Sequence, residues 1–507
     1  MADTIVASTS ATEEDKSFKR SLGLFDATMI VAGSMIGSGI FIVSADITRH
    51  VGSAGWLIAI WLITGFMTIT AALSYGELSS MFPKAGGQYV YLREAFNPLA
   101  GFLYGWSFFA VIQTATIAAV AVAFSRFTSV LIPQVGESNV LWGIEKGLDA
   151  AGKMQYYFKI SAAQLLGILL IVFLTYTNTK GVKGGKIIQT TFTGTKLIAL
   201  FGLIILGFLL TKNSAWSANW QTGFDSLNYT GSFDGAVLET GNGWQPIAGM
   251  ALVGAIAASM TGSIFSSDAW NNVTFIAGEI KNPKRNIGLS LFLGTLIVTL
   301  IYVAANLMYL YVLPLQTEGI DKSIAFAQND RVAVTASKAF LGDMGGYVIA
   351  VLIMISTFGC NNGLILAGAR VYFTMANDGL FFKRTGTLNK HAVPEYALWI
   401  QCAVACLLCL SGRYNELLTM ISFVVVLFYA LTIIGIFVLR KKRPDIERPY
   451  KAFGYPVLPI IYIILALTFC VALLNTSTEY SLYGLGIVLI GIPLYFVALK
   501  SKKPLRP

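Results

Sequence analysis

The sequence predicts an all-α protein that crosses a membrane about twelve times. Three observations carry this expectation. Only 12% of the 507 residues are charged, 55% are hydrophobic, and mean hydropathy is +0.67. A soluble domain carries about 25% charged residues, so polar surface is too scarce to cover a water-soluble body of this size. The apolar residues come in unbroken runs rather than in alternation, which excludes a transmembrane β-barrel. Lys and Arg gather on alternate loops, as they do in polytopic proteins. The same composition excludes a soluble enzyme, a disordered chain and a nucleic-acid-binding domain.

Taken in order, the spans fall at roughly 24–48, 55–82, 98–132, 160–178, 187–211, 247–276, 287–313, 344–376, 394–411, 414–440, 456–475 and 479–499. Residues 1–20 read as a polar cytoplasmic tail without the apolar stretch of a signal peptide. Residues 21–211 and 247–440 then hold two five-helix repeats, and 441–507 hold spans 11 and 12 and a cytoplasmic C-terminus. Longer outer loops are expected at about 133–159, 212–246 and 314–343, the second carrying the glycosylation triplet Asn228-Tyr229-Thr230. With the N-terminus inside, about 25 Lys and Arg lie on the inner side and about nine on the outer. That asymmetry, and the net charge of +10, place both termini in the cytoplasm and the chain in the plasma (inner) membrane.

Two spans are not ordinary apolar helices. Span 1 contains Gly33-Ser34-Met35-Ile36-Gly37-Ser38-Gly39-Ile40-Phe41. Each glycine costs a helix interior about 1 kcal/mol against alanine; close helix packing through small residues is the plain alternative. Span 6 contains Phe265-Ser266-Ser267-Asp268-Ala269-Trp270-Asn271-Asn272. A carboxylate at bilayer depth costs about 2.5 kcal/mol or more unless it meets water or a partner. Spans 1 and 6 occupy matching places if spans 1–5 and 6–10 are repeats of opposite topology. Broken helices at such places point to a transporter's binding site.

A break exposes N–H groups at the start of one half-helix and C=O groups at the end of the other. A zwitterionic amino acid answers both. Its carboxylate is expected at the N–H groups of Ser38 and Gly39, beside the side-chain-free Gly37. Its ammonium is expected at the carbonyls of Met35, Ile36, Phe265 and Ser266, and its side chain among spans 3, 6, 8 and 10. Lys196 lies about nine residues into span 5, roughly 14 Å deep, on one face with Gln189 and Thr193. As a fixed cation or a titrating group, it takes the volume a sodium ion would need. Ser356 and Thr357 in span 8 are expected to accept hydrogen bonds from it, unless they bond back to their own helix.

These residues make the chain recognisable. It resembles the amino acid–polyamine–organocation superfamily, and within it the L-type amino acid transporter family. The likeness runs from about Leu24 to Lys500, on Ile36-Gly37-Ser38-Gly39-Ile40-Phe41, Tyr75-Gly76-Glu77-Leu78, Pro83-Lys84-Ala85-Gly86-Gly87-Gln88-Tyr89, Gly194-Thr195-Lys196-Leu197, Gly278-Glu279-Ile280-Lys281-Asn282-Pro283 and Arg440-Lys441-Lys442-Arg443-Pro444. The resemblance implies a leucine-transporter-type fold, a five-plus-five inverted repeat with two extra helices. It implies sodium-independent exchange or facilitated uptake of amino acids, with proton symport and a non-transporting sensor as alternatives. By position, Phe265 is similar to the aromatic gate over the substrate, Asn271 to the residue steadying the span 6 break, and Lys196 to the lysine replacing a sodium site. Asp26 and Glu77 stand near the inner ends, where relatives gate with charges.

Two departures stand out. Relatives with a glycoprotein heavy chain carry a cysteine in the outer loop between spans 3 and 4; residues 133–159 hold none, so no disulfide-linked heavy chain is expected and a bacterial-type homologue is implied. Asp268 replaces an expected small neutral residue. Cationic-amino-acid relatives carry their acid at the position of Asn271, which favours neutral substrates here, with cationic amino acids or amines as the alternative. All five cysteines, Cys360, Cys402, Cys406, Cys409 and Cys470, lie in apolar runs as packing residues. The two histidines, His50 and His391, flank spans and build no triad. No enzyme chemistry, cofactor or metal is expected, and the oligomeric state is left open.

Overall fold

The computed structural model describes residues 20, 22–83, 86–148, 154–181, 185–233, 238–239, 243–411 and 414–500. The N-terminal tail up to residue 19 and residues 501–507 lie outside the described residues. Ten described helices are long and apolar enough to cross a membrane, from Ala54–Met81 to Thr478–Ala498. The shorter apolar helices Leu24–Met35 and Glu395–Leu410 bring the set to the twelve expected spans.

The core pairs elements five apart. Span 2 (Ala54–Met81) packs along span 7 (Pro283–Val312), and span 3 (Pro98–Leu131) along span 8 (within Val332–Asn377). The first half of span 1 (Leu24–Met35) lies on span 7, and the first half of span 6 (Gly249–Ser266) on span 2. Small residues let these backbones approach, because lipid supplies no hydrophobic drive between helices. A Cβ built at Gly294 would fall 2.4 Å from Val31 Cγ1, and one at Gly65 2.2 Å from Thr299 Cγ2.

Three features depart from the expected layout. The outer loop after span 3 folds as an antiparallel hairpin, Val140–Leu148 against Met154–Ser161, with Trp142 edge-on to Phe158. Ser161 then caps span 4 (Ala162–Thr179), accepting from the Gln164 N–H while the Gln164 side chain accepts from the Ser161 N–H. Residues 332–341 of the loop before span 8 form a separate helix that buries Val332, Val334 and Ala336; Gly342 (φ 67°, ψ −164°) breaks it from the spanning helix, which starts close to the expected residue 344. A short helix, Gln88–Ala95, stands between spans 2 and 3; it opens at Gly87 (φ 47°), a conformation that favours glycine.

Candidate functional site

Both expected breaks are present. Helix Leu24–Met35 ends as Ile36 turns extended (φ −73°, ψ 91°), and the chain resumes through a 3-10 turn at Gly39–Phe41 and helix Val43–Val51. Span 6 stops at Ser266. Residues 267–271 cross as turns, with Ala269 at φ 62°, and a short helix Asn272–Phe275 follows. A left-handed non-glycine costs roughly 1–2 kcal/mol, so the packing around the break holds it there.

The two breaks touch. A Cβ at Gly39 would sit 1.9 Å from Ser266 Oγ and 2.7 Å from its Cβ. Gly37 is looser: a Cβ there would meet Cys360 Sγ at 3.5 Å, an ordinary contact. Gly39, not Gly37, is therefore the glycine that the close approach requires. Tyr302 of span 7 joins the same point, its hydroxyl 3.0 Å from the carbonyl oxygens of both Met35 and Ser266. One O–H has one proton, so it donates to either or shares it. Two of the four carbonyls expected to meet a substrate ammonium thus already face a hydroxyl. Tyr302 carries no motif that singles it out, beyond being a tyrosine in an apolar span.

Lys196 is buried and donates to the Gly33 carbonyl at 2.8 Å. That carbonyl belongs to the last turn of the first half of span 1, where the helix leaves its acceptors without partners. A cation there also complements the negative end of the half-helix dipole. Ser356 and Thr357 do not take up this ammonium. Thr357 bonds back to the Ile353 carbonyl at 2.9 Å, and Ser356 Oγ has no hydrogen-bond partner among the described residues. Gly33 won because a helix-end carbonyl is a stronger orphan than a hydroxyl that can serve its own helix. The Gln189 side chain lies outside the described residues.

Asp268 and Asn271 reach a small pocket of about 20 Å³ lined by Gln88 and by spans 3, 6, 8 and 10. These are the spans expected to surround the substrate's side chain. Tyr429 of span 10 donates to Asp268 Oδ1 at 2.5 Å. Asn271 Nδ2 donates to Gln88 Oε1 at 3.2 Å, and Gln88 Nε2 to Thr432 Oγ1 at 3.0 Å, which ties the span 6 break to span 10. Tyr104, Phe108, Ile112, Gln113 and Thr116 supply the span 3 wall. Part of it, Phe108–Ile112, is a π-helical turn, a local widening common at functional sites. Phe265 is buried at the end of the first half of span 6, but it is not among the cavity's walls.

Asp26 and Glu77, the two acids expected at the inner ends, differ. Asp26 Oδ2 accepts from the Gly23 N–H at 3.0 Å and caps its own helix. Glu77 is fully buried and accepts from Arg440 Nε at 3.0 Å, Arg440 Nη2 at 2.7 Å and the Ala452 N–H at 2.7 Å. The basic Arg440–Arg443 run thus begins as a clamp between spans 2 and 10. In the loop after span 3, Arg126 holds Glu137; burial pushes that carboxyl up, but the guanidinium outweighs it and leaves it below the usual range.

Broken helices, a buried lysine at one break and a polar cavity at the other invite comparison with known carriers. A family model described as "Amino acid permease" matches residues 22–493. The chain belongs to the amino acid permease family. It is similar to "Large neutral amino acids transporter small subunit 2" of Homo sapiens, 29% identical over 481 residues, covering 94% of this chain and 80% of that protein. It is similar to "Asc-type amino acid transporter 1" of Mus musculus, 29% identical over 489 residues, covering 96% and 82%. With "b(0,+)-type amino acid transporter 1" of Mus musculus it shares 28% over 494 residues, covering 97% and 90%. This permease is a multi-pass membrane transporter of amino acids rather than an enzyme.

Proposed function

We propose that this permease exchanges amino acids across the plasma membrane without sodium, by alternating access at the two breaks. The observation that carries the reading is the 2.8 Å bond from Lys196 Nζ to the Gly33 carbonyl. A sodium ion at the end of that half-helix would need such carbonyls as oxygen ligands. An ammonium already bound there supplies the positive charge in its place. The substrate carboxylate sits at the N–H groups of Ser38 and Gly39, its ammonium at the Ile36 and Phe265 carbonyls, and its side chain toward the small pocket among spans 3, 6, 8 and 10, which must open to admit it. Residues 21–211 and 247–440 act as two inverted five-helix units, a division that the span 2–span 7 and span 3–span 8 pairs support. Both termini are cytoplasmic, consistent with the Lys and Arg asymmetry. The chain works without a disulfide-linked heavy chain, since residues 133–159 hold no cysteine.

The test is counterflow in proteoliposomes. Vesicles preloaded with a mixture of unlabelled amino acids should take up labelled amino acid with saturation, at the same rate in sodium and in choline. Uptake that needs sodium would overturn the exchange reading. Accumulation driven by a pH gradient without any internal substrate would replace it with proton symport.

A further inference from the structure

A second and larger cavity lies at the end of span 3 remote from the Glu77–Arg440 clamp. It measures about 260 Å³, against about 20 Å³ at Asp268. One wall is the end of span 3 with the loop that follows it; the others are the loop between spans 7 and 8 and the start of span 8. Spans 1 and 6 supply none of its lining, so it is separate from the breaks. Arg331 and Gly136 are buried at its floor, and Ser138, Asp343 and Tyr347 are exposed at its rim.

The charges around this cavity are unevenly matched. Arg126 holds Glu137, and Lys338 pairs with Asp321 at 3.1 Å. Arg331 has no such counter-ion. Its Nε donates to the Gln328 carbonyl at 3.1 Å, its Nη1 to the Arg126 carbonyl at 3.1 Å and to Ser129 Oγ at 3.2 Å, and its Nη2 to Gln328 Oε1 at 3.0 Å. All four acceptors are neutral, and they occupy at most four of the guanidinium's five N–H donors. Among the described residues, neither Arg331 nor Asp343 takes part in an ion pair, with each other or with any third group. A cation buried without a counter-charge is costly, and burial pulls this guanidinium down to about 10. The fold nevertheless keeps it against open volume.

A bare anion would answer Arg331, but it would enter a cavity that Glu137 and Asp343 also line. A molecule with both signs of charge satisfies both sides. We propose that this cavity binds a small zwitterion, with its anionic group on Arg331 and its ammonium on Asp343. A free amino acid is the soluble source of that chemistry, and the headgroup of an ethanolamine phospholipid is the membrane source. The Ser129 and Ser138 hydroxyls and the Asn329 amide line the space between the two charges. The volume falls below the ~300 Å³ at which drug-sized ligand sites begin, on the scale of one such zwitterion. Arg331 already ties the loop between spans 7 and 8 to span 3, and the adjacent Asp330 accepts from Arg49 at 2.8 Å. Arg49 belongs to Val43–Val51, the helix that follows the span 1 break, so the site stands one ion pair away from that helix.

Two arms test it. In the first, binding of tritiated leucine is measured on the purified protein in nanodiscs of phosphatidylcholine. One class of leucine sites should weaken at least tenfold in Asp343→Asn and in Arg331→Gln, whatever leucine does at the breaks. Asp343 is exposed, so its variant keeps the fold even where Arg331→Gln does not. In the second, native mass spectrometry counts the phosphatidylethanolamine retained by the wild type and by Asp343→Asn; one lipid fewer on the variant identifies the membrane source. Leucine binding and retained lipid both unchanged in Asp343→Asn would overturn the proposal. Acetate displacing this class of leucine as well as leucine itself does would also overturn it, because the site would then be one for simple anions. A failure of counterflow would remove the exchange reading and leave both of these readouts standing.

Discussion

Glu77, fully buried, and Asp268, half-buried, are two acids in the same helical bundle, and their partners differ. Glu77 accepts two hydrogen bonds from Arg440 and one from the Ala452 N–H, with Arg448 Nε 3.6 Å away. Asp268 accepts from the Tyr429 hydroxyl and the Ala269 N–H, has no cationic partner among the described residues, and faces a small pocket. The saturated acid is a clamp: it ties span 2 to span 10 and to the segment leading into span 11, and its acceptors are used up. The unsaturated acid keeps capacity for something that comes and goes. A buried charge alone does not mark a binding site; how much of its hydrogen-bonding capacity the fold consumes does.

The largest expected effect separates the two by stability. Glu77→Ala leaves Arg440 without its counter-ion, and breaking such a buried pair costs about 3–5 kcal/mol. Thermal unfolding in detergent should show a clear drop in midpoint. Asp268→Asn removes a charge that has no cationic partner among the described residues, so its midpoint should stay near the wild type. The reverse ranking would break the comparison.

Next comes Gly39→Ala. The new Cβ would meet Ser266 Oγ at 1.9 Å, so the breaks must separate. Overpacking of this kind costs about 1–3 kcal/mol, and counterflow should fall to background. Gly37→Ala, with room for its Cβ, should lose less; equal losses would mean that the breaks do not depend on their direct contact.

Removing the ammonium at the span 1 break is expected to cost less stability but much activity. A hydrogen bond to a charged group is worth about 1.5–3 kcal/mol, so Lys196→Ala should slow exchange about tenfold or more. Unchanged rates at every pH would refute a coupling role. Tyr302→Phe should cost about 1 kcal/mol, the ordinary value of one buried hydrogen bond, and its effect on half-saturation reports whether the Met35 and Ser266 carbonyls serve the substrate.

The smallest effect lies on the loop between spans 7 and 8. Burial pushes the Asp321 carboxyl up, but the Gln328 N–H, the Thr335 hydroxyl and Lys338 outweigh it and hold it below its usual range. A carboxyl with a depressed value stabilises the fold above its ordinary titration range and loses that contribution as pH falls through the folded-state value. The wild type should therefore lose midpoint in acid slightly faster than Asp321→Asn.

Much of this architecture was legible because a membrane leaves few choices. Unbroken apolar runs fix where helices can lie, and glycines or an acid inside such a run mark where one must stop. Gly33 to Phe41 and Phe265 to Asn272 were visible for that reason. Contacts made across the bundle were not. Tyr302 and Tyr429 read as ordinary aromatics in apolar spans, and their hydroxyls matter only through the carbonyls and the carboxylate they happen to face. Gln113 did carry a signal, as a carboxamide inside an apolar run, and so did Gln88 after two glycines. The hairpin at Val140–Ser161 was missed because its alternation is short and interrupted by bulges. The separate helix at 332–341 was missed because charged residues at 331 and 338 mask its buried face.

The most direct test is a cryo-electron-microscopy map of the wild-type protein in lipid nanodiscs with a saturating concentration of an amino acid that shows counterflow. Spans 1 and 6 should be interrupted, with ligand density running from the Ser38–Gly39 backbone to the Asp268 carboxylate. Continuous helices through both segments, or ligand density that avoids them, would contradict a carrier built on two broken spans.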